Sequence, residues 1–496
     1  MGTINCSSMA TTVYVSPNGT GAGGSANDPA YFKDVLHKIQ TAWATKENRV
    51  DVYFMPGTYD FEDASYSFRG NIYFKAADNN NWPVFTRSVQ VSNSAYLFHV
   101  YDEGSRLGIS RITFDKWSAG RGDTDTDIPA CARAANGGLL VLVAAKVNAS
   151  KFSGNSTYTT CFMASNAAVV YLAGTSSESY KVLEFNSLGS TAPSGSQIWN
   201  IIAGYNGGVV KNLLWGTSGV QVKAGALGQA MIVIKSLQDT GANGAIGFTF
   251  DNCYRLVTTS GLRSATITVK QEGYNADGTV DNTAVGGTDF KVYNTLFDFE
   301  YSGKSYVNII LNSDVFCESH FLLAQKSSGH VILSTDGNTR NINSTASGNS
   351  SSNNSAIHIE NAACFLQTTQ DVVIGNTSGL KFYDGIKVAS STGSTTIASS
   401  SGTITVSGRN AAMKVSDHGK VYGKNLLLTN SSNGLYLPPL GNECTLVDTN
   451  ITNNTTGINV TAGSKVTTNN ITFSGNTNNY NGGANVAAAT AKVRTT

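Results

Sequence analysis

The chain has 496 residues, of which 41% are hydrophobic and only 14% are charged, with a net charge of +1. The charged fraction is well below the usual quarter, and the charge balance offers no electrostatic basis for a nucleic-acid partner. No stretch approaches 18 consecutive apolar residues, so we expect no membrane insertion. Glycine is frequent and proline rare, at 51 and 8 residues. This composition is typical of many short strands joined by tight turns.

The N-terminal region predicts an arm, a strand and a helix, in that order. Residues 1–12 read as a flexible arm without the charged start and apolar run of a secretory signal. Val13–Ser16 predicts a short strand, and after a glycine-rich turn Asp28 is placed to cap a helix that Pro29 opens. Five apolar residues then recur at helical spacing and give one apolar face, which we expect to cover the first coil of a repeat structure: Phe32, Val35, Leu36, Ile39 and Trp43.

An internal repeat occupies the C-terminal third of the chain. Gly385, Ala412, Gly434 and Gly457 each begin a stretch of small, apolar, polar and apolar residues, about 22–27 positions apart. This period predicts a solenoid of short strands, in which asparagines at matching positions stack from coil to coil. The candidates for such a ladder are Asn425, Asn450 and Asn470.

The N-terminal motif also carries a family resemblance. Val13–Gly21, the Asn27–Pro29 turn with the amphipathic helix, and Val52–Tyr59 together resemble the N-terminal segment of pectate-lyase-like right-handed parallel β-helix proteins. That superfamily includes polysaccharide lyases, glycoside hydrolases and bacteriophage tailspikes. The resemblance implies an all-β, single-stranded right-handed parallel β-helix with a short N-terminal amphipathic capping helix.

The resemblance and the repeat together predict a domain division. Residues 13–49 form the first strand and the capping helix, 50–482 the parallel β-helix, and 483–496 a C-terminal tail. A polysaccharide is the ligand that the resemblance implies. Likeness to tailspikes further implies a homotrimer.

The strongest concentration of carboxylates lies mid-chain. Asp298 and Glu300 alternate with aromatic residues, so in a strand both face outward. Asp314 and Glu318 follow shortly after and stack near them if the coils bring them together. Paired carboxylates are what a glycosidase needs, one as the acid and the other as nucleophile or base. We therefore name these four as candidate catalytic residues; the alternative is that they are ordinary solvent-facing charges.

Four further residues are candidates for substrate binding. Asp251 and Arg255 stand at and just beyond the end of an apolar run, where side chains line a groove or satisfy turn N–H groups. His320 is available as a base or hydrogen-bonding group, and Trp215 offers an aromatic face on which a sugar ring can stack. The alternative for Trp215 is a place in the core.

The sequence lacks motifs that would identify a particular enzyme family or a metal site. Asn312–Asp314 and Asp417–Gly419 only loosely match the motifs of the superfamily's galacturonases, and the pectate-lyase arginine motif is absent. The alternating carboxylates of Asp123–Asp127 lack the glycine and distal glutamate of a calcium loop, so we expect no cofactor, and Ca²⁺ has no supporting motif. The seven cysteines show no C-x-x-C spacing, and we expect most of them to be buried and reduced.

Three functions are consistent with these patterns. The first is a virion tailspike or fibre-type protein, on the virion tail, that binds and in the enzymatic case depolymerises a bacterial surface polysaccharide. The second is a secreted, extracellular microbial polysaccharide lyase or glycoside hydrolase. The third is a non-catalytic adhesin or structural spike. The sequence leaves open whether the protein is an enzyme.

Overall fold

The structure is a computed structural model, in which nearly all the secondary structure is β-strand. The chain divides into two compact units, residues 1–249 with 274–280, and residues 250–273 with 281–496. The structure describes residues 11–43, 45, 47–89, 96–117, 130–150, 158–173, 183–188, 198–205, 207–213, 221–226, 231–235, 237–238, 246–251, 255–259, 264–270, 273–274, 280–281, 290–292, 297–300, 304–312, 314–317, 319–325, 328–344, 354–361, 363–375, 381–389 and 393–482.

The elements as far as residue 251 begin with one strand, a short second strand and a helical segment. The helix α1 spans Phe32–Lys38 and continues as a π-helix over Ile39–Trp43. The strands are β1 Thr11–Ser16, β2 Ala30–Tyr31, β3 Arg49–Phe54, β4 Thr58–Asp60, β5 Tyr66–Phe68, β6 Asn71–Ala76, β7 Val84–Thr86, β8 Tyr96–Tyr101, β9 Arg106–Trp117, β10 Ala130–Ala135, β11 Leu139–Ser150, β12 Tyr158–Ser165, β13 Val169–Ala173, β14 Leu183–Leu188, β15 Ile198–Tyr205, β16 Val209–Leu213, β17 Gln221–Ala226, β18 Met231–Lys235, β19 Leu237–Gln238 and β20 Ile246–Asp251.

The elements after residue 251 are all strands among the described residues. They are β21 Arg255–Thr259, β22 Ser264–Lys270, β23 Gly273–Tyr274, β24 Val280–Asp281, β25 Phe290–Val292, β26 Phe297–Glu300, β27 Lys304–Leu311, β28 Val315–Cys317, β29 Leu322–Gln325, β30 Ser328–Thr335, β31 Arg340–Ser344, β32 Ser355–Glu360, β33 Ala363–Thr368, β34 Val372–Ile374, β35 Asp384–Ala389, β36 Ser394–Ser399, β37 Ile404–Val406, β38 Ala411–Ser416, β39 Lys420–Lys424, β40 Leu426–Thr429, β41 Asn433–Leu437, β42 Glu443–Thr452, β43 Thr456–Val460, β44 Lys465–Ser474 and β45 Asn478–Asn481.

Within the first unit the chain runs in coils of three strand positions. The first and second positions of each coil pair in parallel with those of the next, as β3 with β6 and β4 with β7, and form what we call sheet A. The third positions pair in parallel as sheet B, as β5 with β8 and β8 with β10. The long strand β9 covers both positions of sheet A, because it pairs with β6 and then with β7.

The core of the first unit is a set of apolar columns. Val13, Val52, Phe74, Ile109 and Leu142 lie opposite one another on successive strands of sheet A, and each is at most 1% exposed. The apolar face of the α1 segment, Phe32, Val35, Leu36 and Ile39, is buried as predicted. The edge of Phe32 meets Tyr59 and Phe61 at ring-centroid distances of 5.1 and 5.2 Å, so the helix packs on the aromatic residues of the first full coil.

Two details of the N-terminal prediction are wrong. The strand β1 begins at Thr11, inside the predicted arm. The helix begins at Phe32 rather than Pro29, because Ala30 and Tyr31 pair with Val15 and Ser16. Asp28 therefore does not cap the helix; its carboxylate accepts a hydrogen bond from the backbone N–H of Ala22 at 3.0 Å instead.

The second unit repeats the same three-position coil. The strands β32, β35, β38, β41 and β43 of sheet B stack in parallel. The repeat at Gly385, Ala412, Gly434 and Gly457 is confirmed, because the apolar residues that follow these four lie in register and are fully buried. A Cβ on Gly434 would meet the Gly457 carbonyl oxygen at 2.6 Å, so any side chain at this position would require the backbone to shift. The parallel pairing of both sheets fits a β-helix.

Polar ladders join the coils at their turns. The predicted ladder of Asn425, Asn450 and Asn470 is wrong at its middle member, since Asn450 lies opposite Leu427 and Thr472 within the strands. Asp448 takes that place. Asn425, Asp448 and Asn470 all have positive φ, at 58°, 48° and 55°, and the Asn470 amide donates to the Asp448 carboxylate at 2.7 Å.

A buried ladder lies at the turn before the third strand position. The backbone N–H of Ser431 donates to Asn454 Oδ1 at 3.0 Å, and that of Asn454 donates to Asn476 Oδ1 at 2.9 Å. Asn454 Nδ2 also donates to the Leu428 carbonyl at 3.0 Å, and Asn454 is only 2% exposed. Its side chain thus satisfies backbone groups that have no strand partner at the turn.

The cysteines that the structure describes are all buried and free: Cys131, Cys161, Cys317, Cys364 and Cys444. Burial raises the pKa of the Cys131, Cys317, Cys364 and Cys444 thiols, to about 12 for Cys364. For these five the predicted reduced, buried state is confirmed, whereas Cys6 and Cys253 lie outside the described residues.

We predict that Asn454→Ala lowers the free energy of unfolding by about 2–4 kcal/mol, because it leaves buried backbone groups without partners. Chemical denaturation of the variant and the wild type measures the difference. Asn478→Ala, at an exposed asparagine one coil later, is the control and should change stability by less than about 0.5 kcal/mol. Equal effects of the two substitutions would contradict a structural role for the ladder.

Candidate functional site

A column of polar side chains runs along sheet B of the second unit. His358, Lys387, Lys414, Tyr436 and Asn459 lie opposite one another on β32, β35, β38, β41 and β43. Each stands between two buried apolar neighbours along its strand, so the five point away from the core. Adjacent strands are about 4.8 Å apart. We call these five residues the polar column.

The positive charge of the polar column is concentrated on two neighbouring coils. Lys414 Nζ lies 3.9 Å from Asp384 Oδ2 and 5.9 Å from the centroid of the Tyr436 ring, and its side chain is 19% exposed. Lys387 is half-buried. No carboxylate among the described residues lies within 4.0 Å of its ammonium group. The pair therefore presents cationic groups on the outer face of the sheet.

Asp384 is the buried acid beside this pair. It is 0% exposed, and its Oδ1 accepts a hydrogen bond from Asn410 Nδ2 at 2.8 Å. Its Oδ2 has no hydrogen bond and faces Lys414. Burial raises the pKa of the Asp384 carboxyl, and Asn410, Lys414 and Lys387 oppose that rise. Asp384 partly neutralises the lysine pair from beneath the surface.

Two histidines stand at the N-terminal end of the polar column. His320 Nδ1 donates to the Ser355 carbonyl oxygen at 2.6 Å, and its ring lies 5.4 Å from that of His358. Burial lowers the pKa of both, that of His358 to about 3, to which the charges of Lys387 and Lys414 contribute. Both rings are uncharged at pH 7. His358 consequently forms no ion pair with Glu360 there, although the two side chains approach to 3.9 Å.

The predicted catalytic pair Asp298 and Glu300 lies on β26 of sheet B. Asp298 is opposite Leu323, which is opposite His358, so Asp298 occupies the column position two coils before His358. The structure describes the backbone at these two residues, and their side chains lie outside its description. Their catalytic role stays a prediction.

The third predicted catalytic residue, Asp314, is not on sheet B. Asp314 precedes β28 of sheet A, and its carboxylate accepts hydrogen bonds from the Asn341 backbone N–H at 3.0 Å and side-chain Nδ2 at 2.8 Å. These bonds join Asp314 to the next coil. Glu318 lies outside the described residues.

Of the predicted substrate-binding residues, only His320 reaches the column through a described side chain. Asp251 is the last residue of β20 and Arg255 the first of β21, and the structure describes their backbone alone. Trp215 lies outside the described residues. Their roles stay predictions.

The sequence analysis did not name Lys387, Lys414 and Tyr436 as candidates, although they lie in the repeat that indicated the solenoid. The signal was the third position of each repeat, which reads Lys387, Lys414, Tyr436 and Asn459 in order. The candidate site residues that we named from the sequence all lie between positions 215 and 320. The polar column instead lies on the regular coils.

Comparisons with known proteins add little to this geometry. No family model matches the chain, and no curated protein matches it. One solved structure, described as "Structure of PL6 family alginate lyase AlyGC", aligns over 98% of this chain and 99% of that chain, with 9% sequence identity and a TM-score of 0.18. A likeness at that TM-score carries no argument about this protein.

In the part of the chain that the structure describes, no three or more histidine, cysteine, aspartate or glutamate side chains come together as a metal-binding group. No helix in the same ranges is long and apolar enough to cross a membrane.

We predict that the buried histidines make the protein less stable in mild acid. Burial lowers the pKa of His358 to about 3 and that of His99, which is half-buried beside Arg133, to about 4, whereas an unfolded histidine has a pKa of about 6.5. The unfolded state therefore binds more protons below that value, and stability falls as the pH drops from about 6.5 towards 4.

Denaturation curves between pH 4 and 7.5 measure this effect. His358→Gln should reduce the loss of stability over that interval by about 3 kcal/mol, since the pKa of an unfolded histidine lies about 2.5 units above pH 4 and each unit corresponds to about 1.4 kcal/mol. His37→Gln, at an exposed histidine of α1, is the control. An unchanged pH dependence in His358→Gln would contradict the prediction.

Proposed function

We propose that this protein binds a bacterial surface polysaccharide along the polar column and depolymerises it, as a tailspike or fibre-type protein of a virion. The observation that carries the proposal is the column itself. It offers one half-buried or buried polar side chain per coil, from His358 to Asn459, on successive strands of one sheet. Ammonium, phenol and amide groups are the kinds of groups that bind sugar hydroxyls and acidic substituents.

The regular spacing of the column favours a polymer over a small ligand. Each coil adds one polar side chain about 4.8 Å further along the sheet, which is comparable to the advance of one sugar in an extended polysaccharide. A chain lying along the column then meets a new protein group at each sugar. The contacts that Tyr436 and Asn459 make, with Lys414 and with Asn433, hold these groups in place.

The type of β-helix, the compartment in which the protein folds and its oligomeric state are parts of the same proposal. The parallel sheets and the N-terminal resemblance support a single-stranded right-handed parallel β-helix. The buried free cysteines of the described residues support folding in a reducing compartment, as expected for a virion component made in a host cytoplasm. A homotrimer on the virion tail follows from likeness to tailspikes.

Cleavage is proposed to occur next to the column. A hydrolase would use two carboxylates, for which Asp298 and Glu300 on β26 are our candidates. A lyase would use a base to remove a proton beside a sugar carboxylate and a cation to stabilise the resulting charge. The neighbouring Lys387, Lys414 and Tyr436 are observations that favour this second chemistry, and a secreted lyase or hydrolase is accordingly the alternative to a virion protein.

We predict that Tyr436→Ala weakens polysaccharide binding by about tenfold, since it removes a group from the middle of the column. Binding to purified capsular and O-antigen polysaccharides is measured by biolayer interferometry, with release of oligosaccharides measured in parallel. Tyr422→Ala, at a half-buried tyrosine of sheet A, is the matched control. Equal affinity of the two variants would contradict the location of the site.

The same assays separate the alternatives. Binding without release of oligosaccharides indicates an adhesin. Products that absorb in the ultraviolet indicate elimination, whereas new reducing ends without that absorbance indicate hydrolysis. Asp298→Asn and Glu300→Gln should then abolish release only in the hydrolytic case. Light scattering tests the trimer, which a clean monomer would contradict.

A further inference from the structure

The charge along the polar column is confined to its middle. Lys387 and Lys414 are its two cations, on adjacent strands. Tyr436 and Asn459 follow on one side, and His358, whose low pKa leaves it uncharged at pH 7, stands on the other. A ligand that matches this pattern is anionic over about two coils and neutral on either side.

We propose that the polysaccharide is a heteropolymer in which single acidic sugars are separated by neutral sugars, and that Lys387 and Lys414 together bind the carboxylate of the acidic sugar. The proposal rests on the proposed function and narrows it to a substrate class. It distinguishes such heteropolymers from polyuronates, which carry a carboxylate on every sugar.

The lysine pair has an unbalanced charge that a ligand carboxylate would offset. Like charges directly opposite on neighbouring strands destabilise a sheet. Asp384 Oδ2 lies 3.9 Å from Lys414 Nζ, so it offsets part of this repulsion. Among the described residues Lys387 has no carboxylate at ion-pair distance. A carboxylate placed between the two ammonium groups completes the pairing from the solvent side.

The surroundings of the pair disfavour a charge on every sugar. Glu360, whose side chain is 40% exposed, lies two residues after His358 on β32. A polyuronate running along the column would bring its carboxylates towards Glu360, and like charges repel.

The C-terminal side of the column suits neutral sugars. Asn459 Nδ2 donates to Asn433 Oδ1 at 2.9 Å, and Asn459 Oδ1 accepts from Asn481 Nδ2 at 3.3 Å. The phenol of Tyr436 both donates and accepts hydrogen bonds. Hydroxyl groups match these amides and the phenol, whereas a carboxylate can accept hydrogen bonds but donates none when ionised.

Binding to three classes of purified polysaccharide tests the proposal. Dextran represents neutral polymers, and polygalacturonate and alginate carry a carboxylate on every sugar. Hyaluronate, xanthan and a panel of capsular polysaccharides have acidic sugars separated by neutral ones. We expect binding in the third class alone. Binding only to neutral polymers or only to polyuronates overturns this proposal and leaves the proposed function standing. Absence of binding in all three classes overturns both.

Carboxyl reduction and lysine variants test the assigned residues on the polymer that binds best. Reduction of its carboxylates to alcohols should abolish binding. Lys387→Met and Lys414→Met should each weaken binding at least about tenfold and reduce its salt dependence. Lys424→Met, at a half-buried lysine of β39 in sheet A, is the matched control.

Circular dichroism and thermal melts confirm that each variant folds, and Lys387→Arg provides a second variant that keeps the charge. Retained binding to the reduced polymer overturns the proposal, because the recognised group is then a phosphate, a sulfate or a hydroxyl. Equal losses in Lys387→Met and Lys424→Met overturn the assignment to the lysine pair.

Discussion

In-register parallel hydrogen bonding between successive coils is the interaction on which the rest of the structure depends. Because the strands pair largely residue for residue with the strands one coil away, a side chain generally stands on a side chain from the same position of the next coil. A position that faces the core is therefore apolar in successive coils, as in the column from Val13 to Leu142. A position that the backbone of the next coil approaches closely must be small, as at Gly434 and Gly457, where an added Cβ would meet backbone oxygens of the next coil.

The same constraint arranges the side chains of the outer face in rows, with one residue from each coil. Two unit charges about 4 Å apart interact by about 4 kcal/mol at the effective dielectric constant of a protein surface. In-register lysines are thus unfavourable unless a counter-charge is near. Asp384 supplies one beneath Lys414, and its burial opposes ionisation, so its compensation is incomplete. The scaffold tolerates this local cost because every coil adds apolar burial and a full set of backbone hydrogen bonds independent of the outer face.

The sequence predicts features that depend on one coil at a time. The apolar face of α1 and the small residue at the head of each repeat are visible in single stretches, and both are confirmed. Features that depend on register were harder to predict. Asn450 looked equivalent to Asn425 and Asn470, yet the strands place Asp448 in that ladder. Lys387 and Lys414 are 27 residues apart and became a pair only once β35 and β38 were aligned. An outward polar residue in one coil otherwise reads as an ordinary solvent-facing side chain.

The burial of Asp384 constrains the chemistry that the column can perform. From β29 to β45, the carboxylates of sheet B are Glu360 and Asp384 among the described residues. Asp384 is 0% exposed and cannot touch a polymer on the surface. Hydrolysis by paired carboxylates, about 5–10 Å apart, therefore requires a second acid beside Glu360, and Asp298 is two coils beyond His358. Elimination requires a base and a cation at one sugar, and Tyr436 beside the lysine pair is our candidate for the base. Under our proposal that the column binds a polysaccharide, we therefore expect elimination at the lysine pair rather than hydrolysis.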